Sequence, residues 1–275
     1  MRLFSKRSFK IFLRSGSLSL ALADLYLKKY KLDIPPALKT VTWRSGDGKP
    51  VYFRRGTWDT HPIYDILLMP PKKSEYWLPI TEKPKIILDI GANIGIAARF
   101  FHFHFPSAQI HLFDPIKSNL EVLKKNIQGI DNCVLHEFGL ASEDGEIKFA
   151  MTTEEKNYGS FSAFGNSSNQ LQSEMGSVKA VNRTLKENNI NEIDILKIDT
   201  EGAEFDILTS FDKHLLAKTK WIVGELHSKN LETNEIWKII DYLSEWFDFE
   251  IRKNFSQQNL VFKAKNKALK CSVQD

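Results

Sequence analysis

Apolar residues fall into short runs separated by glycine, proline and charged turns, a spacing that predicts strands alternating with amphipathic helices. Ile86-Ile87-Leu88-Asp89-Ile90 is apolar except for Asp89 and predicts a strand buried on both faces. It ends in Gly91-Ala92-Asn93-Ile94-Gly95 and passes into a helical pattern at Ile94, Ala97, Ala98 and Phe101. Gln109 to Phe113, Cys133 to Phe138, Ile193 to Ile198 and Trp221 to Leu226 predict four more buried strands. Helical faces lie between and after them, at Ile116, Leu120, Leu123 and Ile127, at Ala203, Ile207, Leu208 and Phe211, and at Ile236, Ile239, Ile240, Leu243 and Phe247. Phe249–Ile251 and Asn259–Phe262 read as an antiparallel hairpin at the sheet edge, and Glu146–Ala150 as an additional strand. The prediction is one α/β domain with a Rossmann-like, seven-stranded, mostly parallel sheet.

The flanks read differently. Residues 1–40 form a basic, apolar arm, and residues 41–80 a hairpin region around Ser45-Gly46-Asp47-Gly48-Lys49 with a short helix near Ile63–Met69. The sheet domain spans 81–265, and 266–275 is a polar tail expected to be flexible. Residues 151–177 are rich in Gly, Ser and Asn and predict a long polar loop. Its Tyr158, Phe161 and Phe164 suit stacking on a sugar, and disorder is the competing reading.

The glycine turn points to a ligand, because open α/β sheets bind at the carboxyl ends of their strands. A dinucleotide fingerprint needs glycine at its first, third and sixth places, and here the third is Asn93 and the sixth Ile96. No Gly-Lys-Ser/Thr step is present, so a phosphate-cradling loop is excluded. A turn with a preceding acid, Asp89, and only Gly91 and Gly95 suits a ligand with an amino-acid end and a ribose, as S-adenosylmethionine has. Asp114, closing the second strand before Pro115, is placed either to accept from ribose hydroxyls or to cap the next helix.

Asp-Ile-Gly-Ala-Asn-Ile-Gly at 89–95, Phe-Asp-Pro at 113–115, Leu-Lys-Ile-Asp-Thr-Glu-Gly-Ala-Glu at 196–204 and Gly-Glu-Leu-His at 224–227 resemble the FkbM family of S-adenosylmethionine-dependent methyltransferases. The resemblance runs across about residues 86–230. It implies a class I methyltransferase fold, a cofactor held by Asp89, Gly91, Ala92, Asn93, Gly95, Asp114 and Pro115, and adenine contacts from Gly139 and Leu140. It also implies a lid from the region before the sheet, with Asp59 and Tyr76 as polar members, and a saccharide or secondary-metabolite acceptor. The family's Phe-Glu-Pro step is Phe-Asp-Pro here, one methylene shorter.

Chemistry collects at two later strand ends. Asp199, Glu201 and Glu204 lie within six residues, and Glu225 and His227 share one side of the fifth strand. Asp199, Glu201, Glu225 and His227 are the candidate catalytic set. Glu225 and His227 read as a base or orienting dyad, as a structural pair, or with Asp199 as ligands of magnesium or calcium. The expected activity is O-methylation of a hydroxyl, and the alternative is a non-catalytic module of the same fold that binds glycan or a partner protein.

Charge refines this picture. The net charge is +4, yet residues 1–40 hold nine Lys/Arg against two Asp, leaving the remainder slightly acidic. That distribution argues against nucleic acid as a partner. The two cysteines, Cys133 and Cys271, lack metal spacing, and residues 1–30 lack a clear cleavage site, which points to the cytoplasm. Residues 1–30 read either as an amphipathic segment resting on the inner membrane face or as a helix packed on the domain.

Overall fold

The structure is a computed structural model and describes residues 5–25, 37–152, 170–227, 235–253 and 259–269. Two helices come first, α1 (Lys6–Ser15) and α2 (Leu18–Leu25), then the hairpin β1 (Ala37–Thr42) and β2 (Pro50–Arg55). The short α3 (Thr60–Pro62) runs into a π-helix, Ile63–Leu68, where a short helix was expected. The sheet region follows as β3 (Ile86–Ile90), α4 (Ile96–His104), β4 (Gln109–Phe113), α5 (Lys117–Asn126), β5 (Cys133–His136), β6 (Gly139–Ala141), β7 (Gly145–Thr152) and β8 (Gln170–Ala180). It continues with α6 (Val181–Glu187), β9 (Ile195–Ile198), α7 (Glu204–Ser210), α8 (Lys213–Lys218), β10 (Trp221–His227), α9 (Glu235–Leu243), β11 (Phe247–Lys253) and β12 (Asn259–Asn266).

Seven strands form the main sheet in the order β11-β12-β10-β9-β3-β4-β5. The five from β10 to β5 are parallel, and β12 is antiparallel to both its neighbours. The order reverses beside β3: the chain goes next to β4 on one side and reaches β9 on the other only later. A crevice therefore opens between the carboxyl ends of β3 and β9, the place where such sheets bind ligands. The predicted seven-stranded, mostly parallel α/β fold is the one observed.

Helices cover both faces, as strands buried on both sides require. One face of the sheet shares its core with α4, the β1–β2 hairpin, the π-helix and the two N-terminal helices, through Ile87, Ile110, Phe101, Phe53, Ile66, Ile11 and Leu20. The other packs Leu88, Ile90, Leu196 and Ile222 against Leu185, Ile207, Leu216 and Ile239. The first helices are thus docked on the domain, with Arg7 Nε 3.1 Å from the buried Asp24 and Nη2 3.2 Å from Asp65.

Four expectations change in detail, the first being that α9 ends at Leu243 and Phe247, expected on its face, opens β11. The third strand stops at His136, and Gly139–Ala141 joins a separate three-stranded sheet in the order β6-β8-β7. Residues 170–177 of the expected loop belong to β8, while Tyr158, Phe161 and Phe164 lie outside the described residues. The strand was hidden because small and polar residues interrupt its apolar positions, with Gly176 and Val178 buried while Met175 and Ser177 are exposed. β12 also runs on to Asn266, beyond the expected end at Phe262.

Candidate functional site

Two cavities flank the turn after β3. The smaller, about 390 Å³, is lined by Asp114, Pro115, Ile116, Gly139 and Leu140 on one side and by Asp199, Thr200 and Glu201 on the other. The larger, about 600 Å³, lies under the π-helix and includes Trp58, Tyr76, Glu75, Ala92, Asp199 and Glu225. Gly91, Asn93, Asp199 and Glu201 line both, so the turn and the start of the β9–α7 loop form a shared wall.

The turn is built by backbone close approach. Gly91 has φ +78°, and a Cβ there would lie 1.9 Å from the carbonyl oxygen of Asp199. Only glycine lets β3 and β9 end side by side in this way. The Gly91 and Ala92 N–H groups both donate to the Phe113 carbonyl at 3.0 Å. Asn93 takes φ +48° and donates its N–H to Asp114 Oδ2 at 2.7 Å, while its buried side-chain Oδ1 accepts nothing among the described residues. Gly95, at φ +81°, lines neither cavity; its missing side chain makes room for Leu123 and Ile127 of the neighbouring helical face.

Asp89 lies behind the turn and is fully buried. Its counter-charge is Lys197, directly opposite on β9, with Nζ 3.0 Å from Oδ1. Lys197 also donates to the Gly91 carbonyl at 2.6 Å, tying the strand pair to the turn. Burial works against the ammonium, but Asp89 and Asp199 more than reverse this and raise its pKa.

Asp114 does not cap α5, whose N-cap is Ile116 with no side-chain cap hydrogen bond; it braces the turn that precedes the helix. Oδ1 accepts from the Ile116 N–H at 2.9 Å while Oδ2 holds Asn93. Burial pushes its carboxyl up to about 7, although these backbone hydrogen bonds favour the anion. It stands at the end of β4 in the wall of the smaller cavity, where an incoming hydroxyl donor would meet it.

The acids after β9 separate by environment. Glu204, at the start of α7, is buried and accepts from the N–H groups of Thr200 at 2.9 Å and Gly202 at 3.1 Å. His227 Nδ1 donates to the same carboxylate at 3.0 Å, which turns Nε2 toward Glu201 and Glu225, each 3.5 Å away. Burial opposes charge on this imidazole, yet its hydrogen bonds to Glu204 and Glu225 and the charge of Glu201 raise its pKa well above the usual range. A histidine held protonated is a donor and an organiser of carboxylates, not a ready base. His227 lines neither cavity and acts from behind Glu201 and Glu225.

Asp199, like Glu201, reaches both cavities. Burial raises its carboxyl to about 7, with Lys197 easing the shift and Glu225 adding to it. Glu75 faces the larger cavity, and burial together with Glu225 and Asp199 pushes it up to about 8. Sequence reasoning passed over Glu75, because nothing local distinguishes it from a surface acid beside Tyr76. Tyr76 and Asp59 both line this cavity, but Asp59 is engaged by Arg54, whose N–H donates to it at 2.7 Å and whose Nη2 lies 2.9 Å away.

The donor and acceptor set fits an amino-acid nucleoside. Asn93 Oδ1 is a buried acceptor without a donor, Asp114 is a carboxylate at a strand end, and Ile116, Leu140 and Pro115 give an apolar surface for a base. The side chains of Asp199, Glu201 and His227 also offer ligand atoms that lie within 4.8 Å of one another, close enough to hold one cation.

Comparison with known proteins bears on the whole arrangement. The model of the methyltransferase FkbM domain matches residues 89–255, more than half of the chain. The 2-O-methyltransferase NoeI of Sinorhizobium fredii is 27% identical over 170 residues, covering 57% of this chain and 70% of that protein. The AMB antimetabolite synthetase AmbE of Pseudomonas aeruginosa is 26% identical over 180 residues, or 52% of this chain and 8% of its own length. A crystal structure of an FkbM methyltransferase from Methylobacillus flagellatus superposes with a TM-score of 0.44 at 15% identity, over 68% of this chain and 44% of that one. With its switch-point crevice, its glycine turn and the family match across both strand ends, the chain belongs to the FkbM methyltransferase family.

Proposed function

We propose that the chain moves the methyl group of S-adenosylmethionine to a hydroxyl oxygen of a saccharide or hydroxylated secondary metabolite. The observation that carries this reading is the wall shared by the two cavities, which sets Asp199 beside a cofactor-sized space and an acceptor-sized space at once. When bound, the cofactor supplies a sulfonium-activated methyl group. The protein's task is then alignment and removal of one proton.

In this reading Gly91, Asn93, Asp114, Pro115, Gly139 and Leu140 hold the cofactor in the smaller cavity, and Asp89 acts at one remove by fixing Lys197. Asp199 would accept the proton that the acceptor hydroxyl gives up on methylation. Glu201 and Glu225 position the acceptor, with His227 fixing them from behind. Trp58 and Tyr76 offer rings to the apolar face of a sugar, and Glu75 an acceptor to its hydroxyls. The printed name of NoeI, a 2-O-methyltransferase, supports oxygen as the target.

A second reading puts magnesium or calcium on Asp199, Glu201 and His227, with His227 then giving up its Nε2 proton to ligate; the cation would lower the pKa of the acceptor hydroxyl.

Calorimetric titration with S-adenosylmethionine and S-adenosylhomocysteine, with and without magnesium, is the first test. Micromolar binding is expected. No binding in any condition would leave a glycan- or protein-binding module as the better account. A screen of saccharide acceptors for release of S-adenosylhomocysteine follows, in which Asp199→Asn should lower kcat about 100-fold or more while cofactor binding persists. Turnover that needs magnesium would favour the cation reading.

A further inference from the structure

Helix α1 is inverted relative to the usual amphipathic plan. The face it turns to the domain carries Ser8, Ile11 and Ser15, with the Ser8 hydroxyl donating to Asp24 at 2.6 Å and Arg7 paired to the same acid. The face it turns to solvent carries Phe9, Phe12 and Leu13, at 51%, 39% and 64% exposure. Leu18, which opens α2 beyond the left-handed turn at Gly16, is 51% exposed. Four of the nine exposed large apolar side chains among the described residues thus fall within ten positions. Scattered exposed apolar residues are ordinary, but a concentrated patch on one helix marks a binding surface.

Charge decides what the patch fits. Lys6, Phe9, Lys10 and Leu13 follow one another at helical spacing, so two exposed lysines frame the apolar residues on the same face. The one acid on these two helices, Asp24, is buried. A second copy of this chain, docked through the same face, would set lysine against lysine about a two-fold axis. A bilayer with anionic headgroups accepts both features: acyl chains take the phenylalanines and leucines, and phosphates take the ammonium groups. Among the described residues no helix is long and apolar enough to cross a membrane, so the contact would lie in the interface plane.

We infer that the exposed face of α1, extended by Leu18, is a docking surface for an anionic lipid bilayer. Arg7, on the domain-facing side of the same helix, lines the larger cavity, so docking would leave about one helix width between that cavity and the lipid. Presentation of a lipid-linked acceptor would follow, a consequence that rests on the proposed function, whereas the docking itself does not.

The test is vesicle flotation of the full chain without cofactor. It compares phosphatidylcholine alone with vesicles in which about a third of the lipid is phosphatidylglycerol. Binding to the anionic vesicles alone is expected, weakened by salt. It should fall at least about tenfold in Phe9→Ser/Leu13→Ser and, separately, in Lys6→Glu/Lys10→Glu. Thermal unfolding of these surface variants should match the parent chain. Absence of binding, equal binding to neutral vesicles, or binding unchanged by both pairs of substitutions would overturn the inference. A dimer in solution that Phe9→Ser/Leu13→Ser dissociates, without vesicle binding, would assign the face to self-association instead.

Discussion

Lys197 and Asp89 meet across the central strand pair, Nζ to Oδ1 at 3.0 Å, with Asp89 fully buried and Lys197 reaching only the wall of the larger cavity. The same ammonium holds the Gly91 carbonyl, so one buried ion pair sets the turn that separates the two cavities. Removing only one partner would strand a charge in the core. Lys197→Met should therefore destabilise the fold by about 3–5 kcal/mol, and Asp89→Asn/Lys197→Met should recover most of that loss. Urea unfolding of the three proteins measures it; equal stability of the single and double variants would mean the pair is not coupled.

Gly91 carries a close backbone approach at the turn after β3. In Gly91→Ala the new Cβ would collide with the Asp199 carbonyl, at a φ that a side chain disfavours. The turn must shift to accommodate it, and affinity for S-adenosylhomocysteine should drop by roughly tenfold to a hundredfold. Calorimetry on the folded variant checks this.

Glu204 is the anchor of His227. Glu204→Ala would leave the N–H groups of Thr200 and Gly202 without their acceptor, at a cost of about 2–4 kcal/mol in urea unfolding. Glu204→Gln keeps an acceptor but removes a negative charge. The His227 pKa should then fall toward the ordinary histidine range, which an NMR titration of its ring protons would reveal as an earlier loss of charge on raising pH.

Asp114 gives a pH dependence with a definite sign. Its folded pKa, about 7, lies above the unfolded value, so the folded chain binds the extra proton between them. Its contribution to stability is complete below the unfolded pKa, near 4, and is lost as pH rises through about 7. A hydroxyl donor, by contrast, prefers the anion. Cofactor affinity should consequently improve from pH 6 to pH 8 in the parent chain, and the slope should vanish in Asp114→Asn. An unchanged slope in the variant would assign the pH dependence to Asp199 or Glu75.

Much of the site was legible before the fold was known. The glycine turn, Asp114, and the acids at 199, 201 and 225 announce themselves because each sits where a buried apolar run stops. Lys197 was visible only as an interruption of such a run, and Glu204 only as an acid near a helix start. What each meets depends on a strand or loop distant in the sequence. Glu75 and Arg7 escaped notice for the same reason: their functional setting is a cavity assembled from the first helix, the π-helix and two strand ends.

The sequence by itself determined the alternation of strands and helices, the doubly covered sheet and the position of the glycine turn. Burial on both faces and the punctuation by glycine and proline are local properties, written directly in the order of residues. Tertiary structure alone decided the register that sets Lys197 opposite Asp89 and the closure of Glu204 on His227. It also decided the pairing of β8 with β6 and β7, and the docking of α1 with its apolar face outward. Those depend on which surfaces meet when the layers pack, and a periodic pattern reports which side of an element is apolar without naming its partner.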